Sequence, residues 1–172
     1  MTLTAQLDAA AAQRLLAADS RAGPWRDPLV LGGRGLQTLA ATPNASELAG
    51  LQGAGRLALI DPTETGSLDG AAVAQRLGWH TDATAGALDG VEVAWMLSHF
   101  AARVGVLPRS ALLAEPSLTV VAPIPADAYP PISYAAAVSH GALSRNATSF
   151  LDFLKTPAAQ AVLDNAGLER MP

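Results

Sequence analysis

Short apolar segments that end at turn residues alternate along this chain with segments of helical spacing, and this alternation constrains the fold most. The segment RLALI at residues 56–60 ends at an Asp-Pro pair, and VGVL at residues 104–107 ends at Pro108. Short β-branched or leucine-rich runs with such ends are typical of buried strands. The predicted strands cover residues 28–31, 36–40, 56–60, 104–107, 118–121 and 132–138. A Gly-Gly-Arg-Gly segment joins the first two and predicts a bulge or bend.

The segments between these strands predict helices. They cover residues 7–18, 69–77 and 88–100, a segment capped by Asn146, and a segment that begins at Pro157 after Thr156 and closes at residues 165–167. In the fourth helix, Phe150, Leu151, Phe153 and Leu154 are expected to form the buried stripe. Strands that alternate with helices of about ten residues indicate βαβ units and a largely parallel sheet. The predicted fold class is α/β.

Charge and composition exclude several classes of function. The chain has 172 residues, no cysteine and a net charge of −4, and its basic residues form no cluster. A chain of this length buries roughly two thirds of its unfolded surface, so it needs no disulfide. Nucleic acid is not an expected partner, because its phosphates demand a basic face. No apolar run is long enough to span a bilayer, and the first eight residues lack the pattern of a secretory signal.

The loop after the strand at residues 56–60 is the first candidate site. In open α/β sheets ligands collect at the carboxyl ends of strands, where helix starts offer backbone N–H groups to anions. Thr65, Gly66 and Ser67 in this loop are therefore candidates for binding an oxyanion. The alternative is structural, because Ser67 or Asp69 can serve as the cap of the following helix.

Catalytic and metal-binding patterns are missing from the sequence. His80, His99 and His140 have no metal-ligand spacing, and no known catalytic motif is present. The chain is therefore not expected to be an enzyme. Arg109, at the end of a strand, is able to pair with an oxyanion, and Tyr134, after a Pro-Pro pair, is able to reach a cleft.

Six segments in a fixed order resemble a known family. They are residues 55–62 (GRLALIDP), 77–79 (LGW), 104–107 (VGVL), 120–125 (VVAPIP), 129–134 (YPPISY) and 150–160 (FLDFLKTPAAQ). The last two, in that order and at that distance, are the most specific. The chain resembles the periplasmic molybdate-binding proteins of ABC transporters. These are class II substrate-binding proteins, with two α/β lobes joined by crossing strands.

The resemblance implies a site for a small tetrahedral oxyanion, such as molybdate or tungstate, without metal or cofactor. In that family serine hydroxyls, backbone N–H groups and a tyrosine hydroxyl hold the anion. Gly66 and Ser67 fall in the amide-donating loop, Gly90 falls where a further N–H is offered, and Pro108 takes the place of the tyrosine. The candidate contacts are Thr65, Gly66, Ser67 and Gly90, with Arg109 and Tyr134 as secondary candidates.

The resemblance also implies a division of the chain. Residues 1–40 and 131–172 are expected to be the remnant of lobe one with the crossing strands, and residues 41–130 are expected to be lobe two. Residues 36–40 and 132–138 would then form the hinge. The first two βα units of the family would precede Met1, so lobe one is expected to be incomplete and anion binding weak.

Two functions follow from different classes of protein. In the first, the chain is a periplasmic binding protein that delivers its oxyanion to the permease of an ABC transporter. If Met1 is the true start, the chain is instead expected to be cytoplasmic. The alternative function is a non-exported effector-sensing or dimerising module of a transcriptional regulator. A gene remnant or a misassigned start is a third explanation, and exposed sheet edges would favour a homodimer.

Overall fold

A computed structural model describes residues 21–61, 68–80, 82–137 and 144–171. The chain divides into two compact units. The smaller unit contains residues 1–26, 133–165 and 169–172, and the larger unit contains residues 27–132 and 166–168. The boundaries between the units fall after residues 26 and 132, whereas the sequence places them near residues 40 and 131.

The described elements alternate as the sequence predicts. The strands are β1 (Arg21–Arg26), β2 (Leu29–Gly33), β3 (Leu57–Ile60), β4 (Thr84–Ala87), β5 (Val104–Pro108), β6 (Thr119–Pro123), β7 (Ser133–Ala137) and β8 (Glu169–Arg170). The helices are α1 (Ala45–Gln52), α2 (Gly70–Arg76), α3 (Gly90–Ser98), α4 (Arg109–Leu113), α5 (Ser144–Leu154) and α6 (Pro157–Asn165). The helix predicted at residues 7–18 lies outside the described residues.

The larger unit is built on a five-stranded sheet with the order β4-β3-β5-β2-β6. Strand β3 pairs in parallel with β4 and β5, whereas β2 runs antiparallel to both β5 and β6. Thus β2 runs against the other four strands, and the sheet is mainly parallel. The predicted α/β class is confirmed.

Strand β2 lies in the interior of this sheet and all of its residues are buried. Its register against β6 shifts between Leu31 and Gly32 because β6 contributes an extra residue, Val121, so this irregularity lies on β6. The Gly-Gly-Arg-Gly segment itself bends at residues 34 and 35, as one of its two predicted forms requires. A Cβ atom on Gly32 would lie 2.4 Å from Cδ1 of Leu112, so a larger residue would force the Leu112 side chain on α4 to move. On β5, a Cβ atom on Gly105 would lie 2.7 Å from Cγ1 of Val93 on α3. Glycines on neighbouring strands therefore let two helices approach the sheet.

Several helix ends match their sequence signals. Asp69 is the N-cap of α2, and Gly78, just past its end, has a φ of +68°. At α6 the hydroxyl of Thr156 accepts a hydrogen bond from the N–H of Ala159 at 3.3 Å. Gly167, after the end of α6, has a φ of +95°. Glycine adopts such positive φ values without strain, so these predicted ends are confirmed.

Helix α1 was not among the predicted helices. Its N-cap is Asn44, whose side chain accepts from the N–H of Glu47 at 3.0 Å, while Glu47 accepts from the N–H of Asn44 at 2.9 Å. This reciprocal pair is a capping box. The spacing of asparagine and glutamate three residues apart was visible in the sequence, but only weak apolar periodicity follows it.

The strand predicted at residues 36–40 is wrong. These residues form no strand and lie inside the larger unit, so they are not a crossing segment. They run beside β6 instead, where the hydroxyl of Thr38 donates to the carbonyl of Val120 at 2.9 Å. The N–H of Leu39 donates to the carbonyl of Val121 at 2.6 Å. This segment makes only a few hydrogen bonds to the edge strand β6 and forms no continuous ladder with it.

Two predictions for helix α5 are also wrong. The helix begins at Ser144, so Asn146 lies inside it and is not its cap. Leu151 is buried, but Phe150 and Phe153 are 58% and 51% exposed and stack on each other with centroids 6.3 Å apart. Residues at i and i+3 share a face, so the aromatic pair takes the outer face of the helix and Leu151 the inner face.

In the smaller unit the described strands form a sheet with the order β7-β1-β8, and both pairings are antiparallel. Strand β1 leads towards the larger unit and β7 leads away from it, which accounts for their opposite directions. Trp25 is buried, and its indole N–H donates to the side chain of Gln160 on α6 at 3.2 Å. Arg26 pairs with Glu169 across β1 and β8.

Within the described ranges, none of the helices combines the length and apolar character needed to cross a bilayer.

Replacing Asn44 by alanine removes the side-chain half of the capping box, so we expect the free energy of unfolding to fall by about 1 kcal/mol. Asn146→Ala is the matched control. Asn146 is exposed inside a helix, where alanine is the better residue, so this change should leave stability unaltered or slightly raised. Urea unfolding followed by circular dichroism measures both. Equal losses from the two variants would contradict the assigned helix starts.

Candidate functional site

Three helices begin at one edge of the larger sheet. Strands β3, β4 and β5 end at this edge because β3 pairs in parallel with the other two. Helices α2, α3 and α4 follow these strands and begin at Gly70, Gly90 and Arg109. The first N–H groups of a helix have no partner inside the helix and carry partial positive charge. This edge therefore gathers donors suited to an anion.

Aspartate carboxylates of the chain itself accept hydrogen bonds from some of these N–H groups. The Asp69 carboxylate accepts from the N–H of Ala72 in α2 at 2.9 Å. The Asp89 carboxylate accepts from the N–H of Glu92 in α3 at 2.8 Å. The structural alternative for Asp69, that it caps the helix, is thus confirmed. Each carboxylate also places negative charge at the edge where an anion would bind.

Asp27 has the same role at α4, although it is distant in sequence. Its carboxylate accepts from the N–H of Ser110 at 3.1 Å and from the hydroxyl of Ser110 at 2.6 Å. The side chain is fully buried. Burial raises the pKa of Asp27, while the bonds from Ser110 and then the backbone and charge of Arg109 oppose this rise. The dominant cause is desolvation of the charged form.

Asp27 also lies where the chain enters the larger unit. Its own N–H donates to the carbonyl of Ile132 at 2.9 Å, and residue 132 is where the chain leaves this unit. One residue therefore joins the incoming segment, the outgoing segment and the start of α4. Sequence reasoning missed Asp27, because an aspartate between Arg26 and Pro28 carries no sign of its distant partner Ser110.

Gly90 is in close contact with the junction of β5 and α4. A Cβ atom on Gly90 would lie 2.5 Å from Cδ and 3.1 Å from Cγ of Pro108, and 3.3 Å from Cβ of Ala111. Only a residue without a side chain fits here. The structure therefore brings Gly90 together with Pro108.

Arg109 follows Pro108 at the start of α4 and is half-buried. Its N–H donates to the carbonyl of Pro28 at 2.9 Å. Its positive charge acts on Asp27, where it lowers the pKa of the carboxyl against the effect of burial. An anion at this edge would share the charge of Arg109 with Asp27, and the role of Arg109 as an anion ligand stays a prediction.

Four candidates remain, of which the structure describes only Tyr134. Thr65, Gly66 and Ser67 are outside the described residues, so their part in a site stays a prediction. Tyr134 lies on β7 of the smaller unit, opposite Trp25, and its side chain is 47% exposed. The neighbouring Tyr129 is buried, and its hydroxyl accepts from the N–H of Leu29 at 2.9 Å, so it supports β2.

His80 and His99 are exposed and His140 lies outside the described residues. In the part of the chain that the structure describes, no group of histidine and carboxylate side chains is arranged to hold a metal ion.

Comparison with known proteins decides the family. The sequence matches the bacterial extracellular solute-binding proteins over residues 1–169. The chain belongs to this family. No curated protein matches this solute-binding protein. The family match supports solute binding, whereas delivery to a permease and the regulator alternative stay predictions.

Solved structures share the fold of this solute-binding protein. A protein described as the substrate-binding domain of a molybdenum ABC transporter from Clostridium difficile matches with a TM-score of 0.69 and 18% identity, over 94% of this chain and 71% of that chain. The periplasmic molybdate-binding protein of Azotobacter vinelandii matches with a TM-score of 0.65 and 21% identity, over 94% and 72%. PEB3 with bound L-phospholactate matches with a TM-score of 0.59 and 11% identity, over 88% and 69%. The predicted resemblance in fold is confirmed.

The buried carboxylate predicts an unusual pH dependence. Because burial raises the pKa of Asp27 above its ordinary value of 3.8, the folded protein binds a proton more readily than the unfolded chain. The Asp27 carboxylate therefore destabilises the fold above its raised pKa, and this cost disappears as the pH falls towards 3.8. Asp27→Asn lacks the titrating group.

We expect the melting temperature of the wild type to rise relative to that of Asp27→Asn as the pH falls from neutral through this window. Differential scanning calorimetry of both proteins across the pH range measures the difference between their melting temperatures. The titration of all other groups cancels in this difference because both proteins share them. A relative loss for the wild type on acidification would mean that the bonds from Ser110 and the charge of Arg109 outweigh burial.

Proposed function

We propose that this solute-binding protein binds a small tetrahedral oxyanion, such as molybdate or tungstate, in the periplasm and delivers it to the permease of an ABC transporter. The observation that carries this proposal is the start of α3. There a nine-residue helix begins at the carboxyl edge of a mainly parallel sheet, on a glycine that tertiary packing requires. Two solved structures of the same fold are described by molybdenum or molybdate binding.

Backbone donors remain at this helix start. Among the described residues, no hydrogen-bond acceptor meets the N–H of Gly90 or of Val91. The Asp89 carboxylate takes the third N–H of the helix, that of Glu92. The Glu92 carboxylate turns back and accepts from the N–H of Leu88 at 2.6 Å. Both acids are thus held by local bonds, and the first two N–H groups are left for a ligand.

Such donors favour a fully deprotonated dianion. A backbone N–H only donates, so each anion oxygen beside it must accept a hydrogen bond. A protonated oxygen presents an O–H group for which the site offers no acceptor. Molybdate, tungstate and sulfate are dianions at neutral pH and meet this requirement. Thr65, Gly66 and Ser67, in the loop before α2, are the predicted source of the remaining donors.

Two features are expected to limit the affinity. Pro108 presents ring carbons beside Gly90 where the resemblance places a tyrosine hydroxyl, so one donor is lost. The carboxylates of Asp27, Asp69 and Asp89 place negative charge at the same edge. Loss of a hydrogen bond to a charged group costs about 1.5–3 kcal/mol, which corresponds to at least a tenfold weaker affinity.

Delivery requires capture and release of the ligand, which we expect to occur by a hinge motion. We expect the pivot at the crossings after residues 26 and 132, which the bond from Asp27 to Ile132 holds together on the larger unit. This replaces the hinge predicted at residues 36–40, because that segment is fixed beside β6.

Val91→Pro tests the site because proline removes one N–H in the first turn of a helix, where it is tolerated. Val91 is 69% exposed, so its side chain contributes little to the packing of the chain. In nitrogen-15 NMR titrations at constant ionic strength, we expect molybdate and tungstate to shift the Gly90 and Val91 amide signals of the wild type saturably. Val91→Pro should weaken this binding at least about tenfold.

Ala158→Pro is the matched control, because Ala158 is also an exposed second residue of a helix and lies in the smaller unit. It should bind as the wild type does. The proposal fails if neither oxyanion produces saturable shifts at tens of millimolar, or if the shifts avoid the start of α3.

A further inference from the structure

The outer face of α3 carries a stripe of exposed apolar side chains. Val91 is 69% and Trp95 54% exposed, and Phe100 just beyond the helix end is 72% exposed. Leu88, before the helix, is 51% exposed and extends the stripe. Val91 and Trp95 lie four residues apart and share one face of the helix. Together with Leu88 before the helix and Phe100 after it, they make up what we call the α3 stripe. Contiguous exposed apolar surface marks an interaction site.

The stripe is held in a fixed shape. The rings of Trp95 and His99 stack with centroids 4.5 Å apart, and the Arg34 guanidinium lies 4.6 Å from the ring centroid of Phe100. Arg34 also donates to the carbonyl of Ser98 at 3.0 Å. Phe100 has a φ of +61°, an unfavourable value for an aromatic residue. An exposed aromatic surface that is fixed in this way loses little conformational entropy when it is covered.

Charge distinguishes the two ends of the stripe. Asp89 and Glu92 lie at its N-terminal end. Arg34 lies at its C-terminal end with Arg103, whose guanidinium donates to the carbonyl of Arg34 at 3.3 Å. His99 lies at the same end. The stripe thus has an acidic end and a basic end, separated by a helix about 13 Å long.

We propose that the α3 stripe binds the same stripe of a second copy of this chain, antiparallel about a two-fold axis that passes near Trp95. In this arrangement the two Trp95 side chains meet at the axis, and Val91 of each copy meets Phe100 of the other. Asp89 and Glu92 of each copy then face Arg34 and Arg103 of the other. A two-fold contact uses the same patch twice, and this patch is complementary to itself only in the antiparallel direction.

Other occupants match the stripe less well. An anionic lipid surface would attract the arginine end and repel the acidic end. A parallel copy would place like charges opposite each other. Because the helix is short, the contact is small, and we expect a weak, reversible dimer in the high-micromolar range.

Sedimentation velocity over a wide concentration range tests the proposal without any ligand. We expect the wild type to dimerise with rising concentration and Trp95→Lys to remain monomeric, because two lysines would meet at the axis. Val162→Lys is the matched control, since Val162 is a 66% exposed residue on a helix of the smaller unit. Phe100→Gly relieves the positive φ, so its weaker dimerisation could not be attributed to unfolding.

A charge swap tests the direction of the contact. Arg34→Glu and Glu92→Arg should each weaken the dimer about tenfold, because each puts two repulsive pairs into a two-fold interface. The double variant should recover most of this loss. If either change merely damaged the fold, the double variant would be weaker than both single variants.

Trp95 gives a direct reading of the surface used. Trp25 and Trp79 are buried and Trp95 is exposed, so acrylamide quenching reports mainly on Trp95. Quenching should decrease as the dimer forms. The proposal is overturned if the wild type stays monomeric at all concentrations, if Trp95→Lys dimerises normally, or if Trp95 stays fully quenchable in the dimer.

Discussion

The antiparallel strand β2, which lies between β5 and β6, is the constraint on which the larger unit depends. It continues directly from the segment that enters this unit at Asp27, and all five of its residues are buried. Strand β5 is bonded to β2 on one side and to β3 on the other, so the edge from which α2, α3 and α4 begin is positioned by β2. Gly32 lets α4 pack against this strand, and Tyr129 holds its first residue. The core and the candidate site therefore share one support.

Electrostatics at that edge is a balance between stabilising the helices and leaving room for an anion. At each of the three helix starts, an N–H group donates to a carboxylate of the chain. These hydrogen bonds stabilise the helices and place negative charge at the positive end of the helix dipole. The same carboxylates consume donors and add negative charge. Asp27 shows the balance most clearly, because its burial opposes the charged form that its hydrogen bonds favour. The first two N–H groups of α3 do not donate to these carboxylates.

Helix α3 has two surfaces with different consequences. Its inner side, with Val93 and Leu97, is buried against the sheet and fixes Gly90 beside Pro108. Its outer side carries Val91 and Trp95 in the open. The inner contacts fix the helix start, where we propose that the anion binds, whereas the outer face carries the stripe for which we propose association with a second copy.

The sequence by itself determined the strands β3, β5 and β6, the class of the fold and the ends of α2 and α6, because these depend on local apolar runs, prolines, caps and glycines. The resemblance also pointed to Gly90 as a backbone donor, which stays a prediction. It misplaced the segment at residues 36–40 and the outward aromatic residues of α5, since local apolarity does not reveal which side meets the core. The union of Asp27 with Ser110, and of Gly90 with Pro108, was decided only by the tertiary structure. Those contacts join residues far apart in the chain, and no local pattern encodes a contact that chain topology creates.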